Sequence, residues 1–563
     1  MTHSVLNSNV GLRLTAQAAA HADLLGIATP TGSHRQGTAR GYHSISLRDL
    51  DERSSSIAAG MQTMGIGPNH RIALLVRFGE DFIALVFALL KTGATLVLVD
   101  PGMGRKNLLE CLADTRPDGF VAIPLAQAIL KAKKGLFPNA KFNVTVGRRF
   151  GFLPAPSLAQ LEATPANRFR PPETRLQDSA AIIFTTGSTG PPKGVQYTHQ
   201  TFHAQIDMIS QHYGIEPGGK DLSGFPLFGL FNAVMGTSTI LPDMDPTRPA
   251  DVDPPRLLDA IDQWQINQSF GSPALWTKIG RYCQSTGRGM ESLRLVLSAG
   301  APVPSRVLEQ IRSAIDPAGQ MFTPYGATEA LPVASIESRE VLQETHLRTQ
   351  QGHGTCVGNR FAHVHWKVIE ITDEPVASIE QIREVTPGQI GELMVCSPSV
   401  THRYITRTDQ NALHKVLGHE PDGQPLVWHR MGDVGYLDSS DRFWFCGRKS
   451  HRIRTAQGPI FTEPIEAVVN THPSVYRSAL VPRGQGDHQQ PVVIVEPWPE
   501  HRKSLRADLA TAQQQWQALL KEHHPSIDID AFEVYPGRLP TDIRHNSKIF
   551  REQLTQWLKN KDR

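Results

Sequence analysis

The stretch Phe184-Thr185-Thr186-Gly187-Ser188-Thr189-Gly190-Pro191-Pro192-Lys193-Gly194 decides the reading of this chain. It follows a short apolar run, residues 180–184, that reads as a buried strand. Glycines without Cβ let successive backbone N–H groups turn toward one point and form an anion nest. The hydroxyls of Thr185, Thr186, Ser188 and Thr189 add donors, and Lys193 adds a mobile positive charge. Such a loop is equipped to hold a polyphosphate. It is not a Walker A loop, because Pro192 and Gly194 stand where that pattern needs Gly and Ser or Thr.

Around this loop the chain alternates strand-like and helical patterns. Residues 71–76, 95–99 and 119–123 read as strands, and residues 81–92 as a helix with a broad apolar face. The alternation predicts α/β layers with mainly parallel sheets. Residues 154–178, rich in Pro, Arg and polar residues, read as a surface connection. Breaks follow apolar runs at residues 299–302 and 324–326, where α/β proteins place ligands. After Arg448 the character changes to short strands (478–481, 491–495), one long helix (502–522) and a polar tail. A smaller α+β domain is expected there, giving domains of residues 1–448 and 449–563.

The totals narrow the class. A chain of 563 residues, 20% charged and 40% hydrophobic, is an ordinary multidomain globular protein. A net charge of +3 gives no argument for nucleic acid. Five scattered cysteines without a CxxC pattern point to a reducing compartment and against a zinc ribbon. The N-terminal residues lack a signal-peptide pattern and no apolar run spans a bilayer, so a cytoplasmic location is expected, with peripheral membrane association still open.

Further elements fit a nucleotide site together with the loop. Small residues at Gly300, Ala301 and Pro302 let a flat base lie close to the backbone. In Tyr325-Gly326-Ala327-Thr328-Glu329 the ring offers a stacking face, Thr328 an oxygen for phosphate, and Glu329 a hard ligand for Mg²⁺. Asp433, in Met431-Gly432-Asp433, can accept both hydroxyls of a ribose. Cys446-Gly447-Arg448 completes the series.

In this order the motifs resemble the adenylate-forming superfamily of acyl-CoA ligases, adenylation domains and luciferases, over nearly the whole chain. Residues 185–194 match that family's phosphate loop, residues 197–199 the segment after it, and residues 325–329 its adenine and Mg²⁺ motif. Asp433 and Arg448 match the ribose acid and the hinge arginine. Residues 388–393, GQIGEL, match a strand entry, and Lys548 matches the C-terminal lysine. The resemblance implies a large domain of layered α/β sheets with a small β-barrel-like subdomain, and a mobile C-terminal lid. It implies ATP and Mg²⁺ as cofactors and attack of a carboxylate on the α-phosphate, with Lys193 near the departing phosphates and Lys548 between the reactants.

Departures narrow the substrate. Ser450 stands where the family often has an acid or lysine pivot, and residues 455–463 depart from the pattern that serves thiolation. Residues 225–232, with Phe225, Phe228, Phe231 and Asn232, are expected to wall the substrate pocket. These runs, with residues 242–249 and 540–548, resemble the β-lactone synthetases of bacterial long-chain olefin biosynthesis. That group implies a 2-alkyl-3-hydroxy fatty acid, closure by its own hydroxyl without CoA, and complexes with other olefin-pathway enzymes. An acyl-CoA or acyl-AMP ligase and a non-catalytic nucleotide-binding scaffold remain as alternatives. His199, His203 and His545 are candidate bases only, and the packing or solvated reading is favoured for each. His199 and His203 have helical i, i+4 spacing, but Gln200 replaces the glutamate of a zinc protease, and His363 with His365 on one strand face lacks a third ligand nearby.

Overall fold

Strands buried on both faces need helices on both sides, and this chain supplies them. The computed structural model describes residues 8–32, 40–148, 151, 156–185, 191–224, 226–419, 425–541 and 548–562. Among these residues a six-stranded sheet runs in the order Phe142–Thr145, Gly119–Ala122, Arg71–Leu75, Thr95–Leu98, Ser179–Phe184, Gly194–Thr198. All its pairings are parallel except the last, which is antiparallel. The loop read as a phosphate nest therefore joins two antiparallel neighbours.

Helix Glu80–Lys91 packs on this sheet with every residue from Phe82 onward buried. Its last residue, Lys91, is fully buried and donates to Asp51 (2.6 Å), Ser54 (2.8 Å) and Ser55 (2.9 Å). Those three oxygens replace the water that a buried ammonium loses.

A nine-stranded sheet forms the second layer. Its central strands, including Gln268–Gly271, Leu295–Ser298 and the start of Gln320–Ala327, are parallel. The expected break at residues 324–326 is corrected. The strand runs on to Ala327 and pairs antiparallel with Ala330–Glu337, with a register shift between Tyr325 and Ala327. A side chain at Gly326 would meet the Ala330 carbonyl oxygen at 2.8 Å, so glycine lets the bulge pack there. A third, antiparallel sheet is built on the long strand Pro425–Leu437.

The chain forms a large N-terminal and a smaller C-terminal domain. Two apolar cores draw only on residues from Ile453 onward, while the other cores end at or before Phe445. In the smaller domain Val475–Arg483 and Gln490–Pro497 pair antiparallel, and Ala531–Val534 joins in parallel. The single helix expected at 502–522 is two, Arg502–Ala507 and Leu509–His523. Asp508 leaves helical geometry, with φ −142° and ψ 72°, and its side chain accepts the Thr511 N–H. It caps the second helix instead of continuing the first. Residues 156–178 also hold more structure than expected, since Ser157 N–H donates to Gln160 Oε1 at 2.8 Å where helix Leu158–Glu162 begins. His363 lies in a turn with φ +65° and His365 opens strand His365–Ile369, so the two do not share a strand face.

Candidate active site

The base of the phosphate loop is closed by the residues that flank it. Thr185 N–H donates to the Lys193 carbonyl (3.0 Å), and Lys193 N–H donates to Thr185 Oγ1 (3.1 Å). Gly194 N–H then donates to Thr406 Oγ1 at 2.8 Å. A Cβ on Gly194 would press on Thr406 and Phe184 at 3.1 Å each. Thr186, Gly187, Ser188, Thr189 and Gly190 lie outside the described residues.

This loop base faces a cavity of about 1810 Å³. Thr185, Lys193, Gly300, Ala301, Pro302, Tyr325, Gly326, Thr328, Glu329, Phe231, Asp433, Arg448 and Lys548 all line it. Residues separated by hundreds of positions thus share one wall. Gly300 follows strand Leu295–Ser298 with φ +98°, which turns the chain along the cavity rim. Phe225 and His545 lie outside the described residues, as does the side chain of Phe228.

The expected pocket role of Asn232 is corrected. Asn232 is buried and does not line the cavity, donating to Asp221 Oδ2 (2.8 Å), Ser223 Oγ (3.2 Å) and Thr239 Oγ1 (3.2 Å). Successive helical residues point about 100° apart, so Phe231 reaches the cavity while its neighbour turns into the sheet. Burial pushes the Asp221 carboxyl up to about 6, against the hydrogen bonds from Ser223 and Asn232.

Charge is arranged by adjacent antiparallel strands. Asp433 and Arg448 sit directly opposite in register, and Arg448 Nη1 lies 3.0 Å from Asp433 Oδ1. The Tyr325 hydroxyl donates to Asp433 Oδ2 at 2.5 Å. Burial raises the Asp433 carboxyl, while Arg448, Tyr325 and Lys548 hold it down. Lys548 thus reaches this end of the cavity from the C-terminal domain.

The carboxylate of Glu329 is held by residues that no local motif disclosed. The Tyr404 hydroxyl donates to Glu329 Oε1 at 2.7 Å, and Thr401 N–H and Oγ1 both bind the Glu329 carbonyl at 2.9 Å. Lys193 Nζ lies 4.8 Å from the centre of the Tyr404 ring, close enough for a cation–π contact. Tyr197 donates its hydroxyl to the Thr328 carbonyl at 2.6 Å.

Lys193 Nζ also lies 3.4 Å from His414 Nε2, and His414 Nδ1 lies 3.3 Å from the Arg430 carbonyl. A carbonyl can only accept, so Nδ1 carries the hydrogen and Nε2 accepts from Lys193. Burial holds His414 down to about 4, which keeps it neutral. Buried Lys415 is pushed down to about 7 by the same cause.

His199 and His203 do structural work. His199 Nδ1 accepts the Val10 N–H at 3.1 Å, and His203 Nε2 lies 3.0 Å from the Ser8 carbonyl. Both tie down the N-terminal segment, whose Val10 lines the cavity, while neither histidine lines it, and burial drives His199 down to about 4. Across the domain boundary Thr355 Oγ1 donates to Glu463 Oε1 at 2.9 Å. Glu463 faces the cavity and is raised to about 7, first by burial and then by Glu466. No cluster of three or more metal-ligating His, Cys, Asp or Glu occurs among the described residues.

The chain belongs to the AMP-binding enzyme family, whose pattern matches residues 27–405. It is an adenylate-forming ligase that uses ATP and acts on an acyl substrate. An olefin beta-lactone synthetase of Stenotrophomonas maltophilia is 42% identical over 554 residues, covering 98% of each chain. One of Xanthomonas campestris is 42% identical over 550 residues, covering 98% of this chain and 97% of its own. Among solved structures, an amide bond synthetase of Marinactinospora thermotolerans superposes with a TM-score of 0.75 at 19% identity, covering 98% of this chain and 100% of its own. The O-succinylbenzoate coenzyme A synthetase of Bacillus subtilis, in complex with ATP and magnesium, gives 0.72 at 18% identity, covering 96% and 98%.

Proposed function

We propose that the protein adenylates a long-chain 2-alkyl-3-hydroxy acid and closes the adenylate to a β-lactone, releasing pyrophosphate and then AMP. One observation carries this reading: a single cavity joins the charged groups at one end to a large apolar lobe. That lobe is lined by Phe82, Val86, Phe202, Ile206, Phe231 and Val234. Its total of about 1810 Å³ exceeds the roughly 300–1,000 Å³ of an ordinary small-ligand pocket. The volume suits a nucleotide together with long alkyl chains. The two relatives named olefin beta-lactone synthetases support the same product.

In this reading Asp433 takes the ribose hydroxyls, the Tyr325 ring lies along the base, and Thr328 and the loop hold phosphate. Lys193, aimed by His414 and Tyr404, faces the departing pyrophosphate. Lys548 sits between the substrate carboxylate and the α-phosphate, and the carboxylate oxygen displaces pyrophosphate. In the second step the 3-hydroxyl oxygen bonds to the activated carbonyl carbon and releases its proton to solvent. The carbonyl–phosphate bond breaks and AMP leaves. Because the nucleophile belongs to the same molecule, no bimolecular encounter is needed.

Glu329 would hold Mg²⁺, and its hard carboxylate oxygens, one steadied by Tyr404, fit that ion. Bound there, the metal would offset phosphate charge. Tyr404→Phe is accordingly expected to raise the Mg²⁺ concentration for half-maximal activity by about tenfold. A Mg²⁺ titration of adenylation rate checks this, and an unchanged midpoint counts against the assignment. We place the domain boundary at Arg448–Lys449 and the reaction in the cytoplasm, which suits five buried thiols. Substrate and product both dissolve poorly in water, which favours assembly with the enzymes that make the acid and consume the lactone.

The test uses the full chain with ATP, Mg²⁺ and a long-chain 2-alkyl-3-hydroxy acid, without CoA. Mass spectrometry should find the acid minus water, with one AMP formed per lactone. Strict dependence on CoA sinks the proposal, and absence of pyrophosphate release with any acid favours a non-catalytic scaffold.

A further inference from the structure

Residues 124–148 contain Lys131, Lys133, Lys134, Lys141 and Arg148 and not one Asp or Glu. They begin with helix Pro124–Ala132 and the turn Lys134–Leu136. Six large hydrophobic residues are exposed among the described residues, and three of them fall here: Leu125 (67%), Ile129 (37%) and Leu136 (48%). Leu125 and Ile129 are one helical turn apart and share a face.

This exposure is fixed by the other side of the helix. Gln127 is buried and donates to the Val144 carbonyl at 2.9 Å, and Leu130 is buried beside it. Phe137 packs edge-on against Phe120, with ring centres 5.0 Å apart. With one face pinned to the sheet, the leucines cannot roll inward. Lys133, Lys134 and Lys141 are exposed around them.

The same helix borders the cavity. Ile123 and Ala126 line it, together with Leu108 of the neighbouring helix Arg105–Asp114. Ala126 and Leu108 are only half-buried. An apolar, basic segment without acids of its own, beside a helix that carries the exposed Glu110 and Asp114, therefore adjoins an edge of the cavity that the proposed reaction fills with alkyl chains.

We propose that this face docks on a bilayer containing anionic phospholipid, with Leu125, Ile129 and Leu136 entering the interface and the lysines meeting headgroup phosphates. Charge complementarity selects the occupant, because apolar residues ringed by cations match the acyl boundary below an anionic headgroup layer. Docking in this orientation brings the Ala126–Leu108 edge of the cavity toward the lipid in which a long-chain acid dissolves. That second consequence rests on the proposed substrate, whereas docking itself does not.

The experiment is co-sedimentation of the full chain with phosphatidylcholine vesicles, with and without phosphatidylglycerol. Binding should require phosphatidylglycerol and weaken as salt is raised. Lys133→Glu/Lys134→Glu/Lys141→Glu and Leu125→Ser/Ile129→Ser/Leu136→Ser should each lower vesicle affinity by at least about tenfold. ATP–pyrophosphate exchange with a water-soluble short acid should be unchanged in both, which verifies folding. No sedimentation of the intact chain, or undiminished sedimentation of both variants, overturns the proposal. Sedimentation that appears only with added cell extract also overturns it and assigns the face to a protein partner. Failure to form a lactone leaves the vesicle result standing.

Discussion

Lys548→Ala is expected to lower acyl-adenylate formation by about 10²–10³-fold, while ATP affinity changes by less than about tenfold. Two anions must meet in the proposed first step, a carboxylate and the α-phosphate. Lys548 lines the cavity beside Asp433 and Arg448, and its charge helps keep the buried Asp433 carboxyl ionised. Most of the ATP contacts proposed above come from the large domain, so binding survives loss of the lysine. The transition state, in which charge concentrates between the reactants, does not. ATP–pyrophosphate exchange and calorimetric ATP titration measure the two quantities separately. Chemically prepared acyl-adenylate should bypass the defect and still close to lactone. Near-normal exchange in the variant refutes the role given to Lys548.

The parts of this fold that were legible in the sequence are those whose burial is continuous. Strand Gly119–Ala122 is buried at every position, and its apolar run stands out without any partner in view. The helix Glu80–Lys91 was legible for the same reason, its bounds differing from the expected ones by one residue at each end. Where local chemistry competes with periodicity, the reading failed. Asp508 sits inside a run of good helix formers, and only its geometry as a cap reveals the break. Pro324 and Gly326 look like turn residues, yet Pro324 pairs with Ser335 and Gly326 falls in a bulge between paired Tyr325 and Ala327, so the strand runs on.

The site divides in the same way. Tyr325, Glu329, Asp433 and Arg448 lie in short motifs, and the structure brings them to one cavity. Tyr404, His414 and Lys415 lie in no such motif. Tyr404 is one of nine tyrosines, and its importance comes from a hydroxyl that reaches Glu329 across 75 residues of chain. His414 likewise acquires meaning only from the Lys193 ammonium beside it. A hydrogen bond between residues far apart in the chain leaves no periodic trace. Asn232 failed for the opposite reason: an aromatic stretch read as a single wall is a helix with two faces.

Glu392→Gln is expected to destabilise the large domain by roughly 3–5 kcal/mol. Glu392 is fully buried and Arg430 nearly so, with Arg430 Nη2 and Nε at 2.6 and 3.1 Å from Glu392 Oε2. Arg430 also donates to the carbonyls of Thr372 and Glu374, which fixes its guanidinium in place. Lys449 Nζ, one residue past Arg448, reaches the same carboxylate oxygen at 3.0 Å. One acid therefore holds two cations next to the interdomain connection. The amide of glutamine keeps the shape but removes the charge, leaving a buried guanidinium without its counterion. The lysine has a way out, being partly exposed, so the arginine carries most of the cost. The effect should also depend on pH. Burial holds the Lys449 ammonium below the ordinary lysine range, and Glu392 opposes that depression. Without the carboxylate the depression deepens, so the unfolded chain binds more protons than the folded one across a wider window. Stability rises with pH wherever the unfolded state holds more protons. The deficit of the variant should accordingly shrink as pH rises from neutral toward the ordinary lysine range. Denaturant titrations at several pH values, followed by the fluorescence of Trp428 and its neighbours, measure both the deficit and its slope. A deficit below about 1 kcal/mol would show that the buried pair is no more than a surface-grade contact.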